Sequence, residues 1–364
     1  MKAFKYRIYP DKKSAELLEQ WFGQSRFVWN YYLHKRTVTY KNTGKGLSYN
    51  DIAKDLTQLK KQLEYSWLSE CPSQALQQTL KHLDSAFKDF FSRGKGYPTF
   101  KSKKHSTSSL HFPQGFKILN KHIKLPKLSK PIRIKFHRGI KGNIRSVVIT
   151  KTPAGHYYAS ILTDYEPRQL PKTKAKVGID LGLKHFLITS DGSKYNMPHF
   201  INKSQAKITK LQRKLSRKQK GSNNRNKVRL KIAKLQEHIA NQRKDFLHKL
   251  STGLIRKYDL IATETLCVKG MIRNHKLAKH IANASWSTFL TMLEYKAKWY
   301  GRTILSVDRF APTSKMCNNC GYIKQDLKLS DRTVTCPACG ETYDRDINAA
   351  KNILTFATVG ATGS

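Results

Sequence analysis

Lys176-Val-Gly-Ile-Asp-Leu-Gly-Leu-Lys-His-Phe-Leu-Ile-Thr-Ser190 is the stretch on which the reading of this chain turns, with Asp180 at its centre. Val177, Ile179 and Leu181 alternate with Gly178, Asp180 and Gly182, a period of two that predicts a buried strand. One face is branched and apolar. The other is a single carboxylate between two glycines, which are expected to leave open space for metal ions and a substrate backbone. A cap or an ion pair would satisfy a buried aspartate equally well. The segment therefore needs acidic partners from further along the chain before it reads as a metal site.

Charge separates this chain from ordinary globular proteins. Its 364 residues hold 69 Lys+Arg against 24 Asp+Glu, a formal net of +45. Self-repulsion on that scale destabilises a compact state unless a polyanion neutralises it, and nucleic acid is the polyanion that counterion release favours. Apolar content of 39% is enough for folded cores, and the length allows two or three domains. Met1–Pro10 has no apolar signal-peptide core, and no apolar run reaches about 18 residues, so a soluble, cytoplasmic, nucleoid-associated protein without membrane contact is expected. Four of the six cysteines fall in two CxxC pairs, the others being Cys71 and Cys267; that clustering points to metal rather than to a disulfide framework.

Along the chain, Phe4, Tyr6 and Ile8 alternate with polar neighbours and predict a strand over 2–9, stopped by Pro10. Asp11 is a candidate N-cap for a helix with Leu17, Leu18, Trp21 and Phe22, and a second helix is expected to carry Phe27, Val28, Tyr31 and Tyr32. Helices resume through Ile52, Leu56, Leu59 and Leu63, then after Pro72 through Leu76, Leu80, Leu83, Phe87 and Phe90. Residues 94–105 place Tyr97 and Phe100 among lysines, as a loop tracking a nucleic-acid backbone would. From 109 to 164 six short alternating runs predict an antiparallel barrel or sandwich. Strand 2–9 would complete it, making the helices an insertion; residues 167–176 read as a linker. Residues 201–250 read as a helical hairpin with sixteen Lys/Arg between 203 and 249 and only Glu237 and Asp245 in opposition. A face of one sign has no internal ion pairs and suits phosphate contacts.

Two constellations carry chemistry. Cys317-x-x-Cys320 and Cys336-x-x-Cys339 have the spacing of a four-thiolate zinc ribbon, a closed structural site; a redox pair and an iron–sulfur site are the alternatives. Asp180, Glu264 at the end of an apolar strand over 258–265, and Asp346 near the start of the last helix are candidates for holding two divalent cations, Mg²⁺ or Mn²⁺, ~4 Å apart for phosphodiester hydrolysis. Ala349 and Ala350 share a face with Asp346 and would let its helix sit close on a sheet. Asp344 reads as a cap. Gly-Ile-Asp-Leu-Gly also opens actin- and Hsp70-like ATPases, but their phosphate-cradling turn needs small hydroxyl residues where Leu183-Lys184 stand.

Val-Gly-Ile-Asp-Leu-Gly, Leu-Ile-Ala-Thr-Glu-Thr-Leu-Cys-Val-Lys-Gly-Met, Cys-Asn-Asn-Cys-Gly and Cys-Pro-Ala-Cys-Gly…Tyr-Asp-Arg-Asp-Ile-Asn-Ala-Ala-Lys-Asn-Ile resemble the split RuvC motifs and zinc finger of TnpB. This is the RNA-guided nuclease family of IS200/IS605 and IS607 insertion sequences, related to type V Cas effectors. Phe-Lys-Tyr-Arg-Ile-Tyr-Pro and Arg26-Phe-Val-Trp-Asn-Tyr-Tyr32 resemble its N-terminus. The resemblance implies a multidomain α+β protein. A wedge β-barrel (1–10 and 106–170) holds an inserted helical recognition module (11–105). An RNase H-like α/β RuvC core (174–314) follows, with a zinc ribbon (315–342) and a last RuvC motif and C-terminal helix (343–364). It also implies a guide noncoding RNA and a double-stranded DNA target as partners, with no small-molecule substrate. Cleavage would occur beside a short adjacent motif at one site, with Asp180, Glu264 and Asp346 on two Mg²⁺ and the four cysteines on one Zn²⁺. A non-cleaving repressor and a protein-only nuclease or transposase are the competing readings.

Overall fold

The structure, a computed structural model, describes residues 1–104, 107–198, 200–271, 273–274, 278–328 and 331–360. Parts of the expected segments lie outside these: 105 at the end of the basic loop, 106 at the start of the second wedge segment, 199, 272 and 275–277 of the RuvC core, 329–330 of the ribbon, and 361–364. The chain divides into two compact units, Met1–Glu166 and Pro167–Ser364. Among the described residues no helix is long and apolar enough to cross a membrane.

In the first unit β1 (Lys2–Tyr9) is followed by α1 (Lys12–Thr43), α2 (Tyr49–Leu59), a 3₁₀ stretch (Leu63–Glu70) and α3 (Ser73–Arg93). Next come β2 (Ser108–Phe112), β3 (Lys117–Leu119), β4 (His122–Lys124), β5 (Ile132–Lys135), β6 (Ile144–Lys151) and β7 (Tyr157–Thr163). The strands form one antiparallel sheet in the order β2-β6-β7-β1-β5-β4-β3. β1 lies inside it, between β7 and β5, so the helices interrupt the sheet in sequence. Phe4, Tyr6 and Ile8 are buried, as their alternation requires.

Three expectations are corrected here. The sheet is an open half-barrel, since among the described residues β2 and β3 each have one strand partner and do not meet. Trp21, Leu76 and Leu80 share the core with Ile134, Ile149 and Ile161, and α1 and α3 pack against β2. Helices therefore fill space that opposite strands fill in a closed barrel. The two expected N-terminal helices are one. Gly23 inside a helix costs about 1 kcal/mol, which the continuous stripe of Leu18, Trp21, Val28, Trp29 and Tyr32 outweighs. Leu63 leaves the apolar stripe and is 92% exposed, because the chain tightens to a 3₁₀ period there. Asp11 caps α1 through the Ser14 N–H, and Gly44, at φ 67°, ends it.

The basic loop is fastened down. Trp29 Nε1 donates to Thr99 O (3.0 Å), Asn30 exchanges hydrogen bonds with the Lys101 backbone (2.9 and 2.7 Å), and the Tyr97 and Thr37 hydroxyls meet at 2.7 Å. Lys101 Nζ stands 3.5 Å from the Trp29 ring centroid, and burial pushes its ammonium pKa down to about 8.

The second unit opens with β8 (Lys176–Asp180), β9 (Leu187–Thr189) and β10 (Lys194–Tyr195), then α4 (Phe200–Ser216) and α5 (Asn223–Lys257). β11 (Leu260–Glu264), α6 (Val268–Met271), α7 (Ala278–Ala284), α8 (Trp286–Tyr300) and β12 (Thr303–Val307) follow, then β13 (Thr333–Thr335), β14 (Thr342–Asp344) and α9 (Arg345–Gly360). Five strands form a sheet ordered β10-β9-β8-β11-β12. β9 is antiparallel to β8 and β10, and β11 is parallel to β8 and β12.

Period two divides the faces of β8. Val177 and Ile179 pack with Leu247, Leu250 and Leu254 of α5 and Phe289 and Leu293 of α8. Gly178 and Asp180 share the opposite face, which α9 covers. Helices α4 and α5 make the expected hairpin, with Ile208 and Ile239 buried between them, Ser222 capping α5, and Arg225 closing the turn onto Leu215 O and Lys218 O. α5 then runs past 250 into the core beneath the sheet.

Candidate active site

Asp180 and Glu264 stand at the C-terminal ends of two neighbouring parallel strands, since Thr263 pairs with Ile179. Asp346 lies in the first turn of α9, the helix seated on β8. All three line one cavity of about 350 Å³, shared with Leu181–His185, Trp286, Ser314, Arg332 and Arg345. Burial, then the nearby charges of Glu264 and Asp346, push the Asp180 pKa up to about 7, against the opposing pull of Arg345.

The three carboxylates are held differently. Thr313 donates its hydroxyl hydrogen bond to Glu264 Oε1. Arg332 Nη1 donates to both oxygens of Asp346 at 3.2 Å, with Arg345 Nε 3.6 Å away. Asp180 forms no ion pair among the described residues, although two carboxylates face it. A divalent cation suits such a place: three carboxylates bring hard oxygen donors to one cavity, and Asp180, raised by burial and by its two acidic neighbours, would gain a counter-charge. Asp344 is a cap. Its Oδ1 accepts from the N–H groups of Asp346 (3.0 Å) and Ile347 (3.1 Å), and Lys194 pairs with its other oxygen at 2.6 Å.

Gly178 does not leave open space, which corrects half of the expectation from sequence, whereas Gly182 lines the cavity. A Cβ on Gly178 would lie 1.9 Å from Ala350 O and 2.9 Å from Leu354 N, and one on Gly182 would lie 3.0 Å from His185 O. Gly178 lets the α9 backbone come down on β8, and Ala350 in α9 is the matching small residue. Gly178→Ala is expected to lift α9 and cost about 3 kcal/mol, the upper range for overpacking. Urea unfolding followed by circular dichroism measures this, and a midpoint equal to the wild type's would contradict it.

The four cysteines form a tighter group. Cys317 Sγ lies 3.8 Å from Cys339 Sγ and Cys320 Sγ 3.5 Å from Cys336 Sγ, all four within 4.8 Å of one another. A tetrahedral ion bonded to sulfur at about 2.3 Å sets sulfur separations of about 3.8 Å, so the cluster could hold a metal such as zinc. Two like turns build it. The N–H of Gly321 donates to Cys317 O and that of Gly340 to Cys336 O, both at 2.9 Å, with φ of 79° and 70° at the glycines. Among the described residues this is the one group of three or more potential ligands so close together; the carboxylates share a cavity without reaching that spacing.

Sequence reading missed Thr313, Arg332 and Arg345. Arg345 stands between Asp344 and Asp346, where two acids beside one base were the available signal. Nothing local marks Thr313 or Arg332, which reach the cavity only through tertiary contacts.

Three family models match the chain: "Probable transposase" (the IS605 OrfB model) over 160–275, "Cas12f1-like, TNB domain" over 286–353, and "Helix-turn-helix domain" over 1–45. In this structure the last stretch is β1 and the whole of the single helix α1. A Streptomyces pristinaespiralis protein named "Putative RNA-guided DNA endonuclease" is 39% identical, covering 97% of this chain and 88% of that protein. An Escherichia coli K12 protein, "Putative RNA-guided DNA endonuclease InsQ", is 33% identical over 97% of this chain and 92% of its own length. By fold the chain resembles Cas12f1 in a complex with sgRNA and target DNA (TM-score 0.59, 16% identity, 94% of this chain and 83% of that one). It also resembles the mini-RNA-guided endonuclease Cas_phi3 (TM-score 0.53, 10% identity, 99% and 92%).

Proposed function

Because this chain belongs to the TnpB family, the OrfB proteins of IS605-type insertion sequences, we propose that it is an RNA-guided DNA endonuclease. It binds a noncoding RNA from its transposon and cuts double-stranded DNA next to a short adjacent motif. The observation that carries this reading is the convergence of Asp180, Glu264 and Asp346 on one cavity in a chain of net charge +45. Strand order β10-β9-β8-β11-β12, three antiparallel then two parallel, supports an RNase H-like RuvC core. The interruption of the first sheet by α1–α3 supports a wedge with an inserted recognition module.

Two Mg²⁺ ions held by Asp180, Glu264 and Asp346 would activate a water and stabilise the leaving oxygen. The chain's own groups prepare the cavity. Asp180 sits half-buried between strands, Thr313 orients Glu264, and Arg332 pairs with Asp346. The four thiolates would hold one structural Zn²⁺ and so fix the hairpin β13–β14, into which Arg332 leads. The exposed cations of α4 and α5 contact phosphates.

Sequencing the RNA that co-purifies with the protein tests the reading. One discrete RNA species is expected, with cleavage that follows a rewritten 3′ segment and disappears after RNase treatment. Activity that survives RNase would establish a protein-only nuclease instead. Guided binding without any cutting would establish a repressor.

A further inference from the structure

The loop 308–313 is tied at both ends to Glu264. It leaves β12 at Val307, the register partner of Glu264, whose carbonyl accepts from the Thr265 N–H at 3.1 Å and the Thr265 hydroxyl at 2.9 Å. It returns at Thr313, whose hydroxyl donates to Glu264. Between those ties a compact turn fixes the tip. The Phe310 N–H donates to Asp308 Oδ1 (2.8 Å), the Ala311 N–H to Asp308 O (3.2 Å) and the Thr313 N–H to Ala311 O (2.7 Å).

That turn holds Phe310 out in solvent, 81% exposed, with the Arg309 guanidinium 4.9 Å from its ring centroid. Phe310 stands three positions before Thr313, so its Cα lies within about 11 Å of that of the residue touching Glu264. An aromatic ring fixed in water beside a guanidinium, in so basic a chain, matches the two parts of a single-strand platform: a surface for a base and a cation for its phosphate.

Resting on the nuclease reading above, we propose that Phe310 is a positioning residue on which an unpaired base of the DNA strand being cut stacks, with Arg309 on the adjoining phosphate. The rigid loop then sets the distance between that base and Glu264. The platform takes any base, because every base has a π-face.

The test uses the ribonucleoprotein with its co-purified RNA and target DNA carrying 2-aminopurine at successive positions across the cut region, with Ca²⁺ replacing Mg²⁺ so that the strand stays whole. In the wild type one or two positions are quenched. Phe310→Ala removes that quenching and, in Mg²⁺ at sub-saturating DNA, slows single-turnover cleavage about tenfold, the scale of one lost base–aromatic stack. Phe310→Trp restores both and Phe310→Leu restores neither, which separates stacking from apolar packing. Unchanged quenching in Phe310→Ala, full rescue by leucine, or no quenched position in the wild type overturns the platform while guided cutting stands. A wild-type complex that does not cut under RNA guidance overturns both readings.

Discussion

Asp180→Ala is expected to lower DNA cleavage more than about a hundredfold, since residues that merely orient metal ligands already cost 10- to 100-fold when removed. Binding of RNA and of matched target DNA should change little, because Asp180 is recessed between two strands and its loss leaves the basic surfaces intact. Cleavage in Mg²⁺ against target retention by filter binding separates the two effects. Undiminished cutting by this variant would remove Asp180 from the chemistry.

Asp180→Asn adds a measurement that does not depend on activity. In metal-free protein, burial and two acidic neighbours raise the Asp180 pKa to about 7, whereas an unfolded aspartate titrates near ~3.9. The folded state therefore binds the proton more tightly. Stability from this group is fully present below about pH 4, falls as the pH rises towards 7, and stays low above it. Asparagine removes the slope, so it should stabilise the metal-free protein at pH 8 by up to about 4 kcal/mol and do nothing near pH 4. If Asp180 is the proposed ligand, bound Mg²⁺ would hold the carboxylate ionised and reverse the ranking. Thermal melts at pH 4 and pH 8, with and without Mg²⁺, test all three statements.

Cys336→Ser is expected to have the other large effect. Wild-type protein should carry about one zinc per chain by elemental analysis, and the variant should lose it. In small zinc peptides the metal supplies about 10–16 kcal/mol of folding free energy, far more than a three-residue β13–β14 pair provides alone. Hydrogen exchange over 315–342 should rise to that of an open chain. Cleavage should fall as well, because the loop leading into β13 carries Arg332, whose side chain holds Asp346 and whose carbonyl accepts from the Arg345 N–H at 2.8 Å. A variant that is folded over this stretch and fully active without zinc would show that the cysteines do not hold a structural metal.

Much of this arrangement was legible because its signals are local. Period two in Val177–Leu181 marked a strand, the two CxxC pairs marked a sulfur cluster, and Ala349 and Ala350 marked a helix able to approach a sheet. What was not legible depends on distance in space. Gly178 looked like room for substrate and is room for a helix backbone, a distinction set by Ala350, which no periodicity ties to it. Two helices were expected where α1 is one, because the buried stripe runs without a break from Trp21 to Trp29. Alternation in 109–164 gave strands and faces but not closure. Closure depends on whether strands or helices fill the concave side, and here α1 and α3 do.

The seating of α9 on β8 also sets when the protein can become a nuclease during its own synthesis. Before residues 345–360 leave the ribosome, β8 and β11 hold two acids at the end of a sheet whose Gly178 face is bare, and Ala262 and Val307 lack the Ile353 and Ala357 they later pack against. Such a nascent chain already has the basic α4 and α5, but it lacks the third carboxylate. The docking step that covers the sheet is the same step that delivers Asp346. On the proposed reading, completion of the fold and arming of the site are one event, and a product truncated before α9 is expected to be both inert and prone to aggregate.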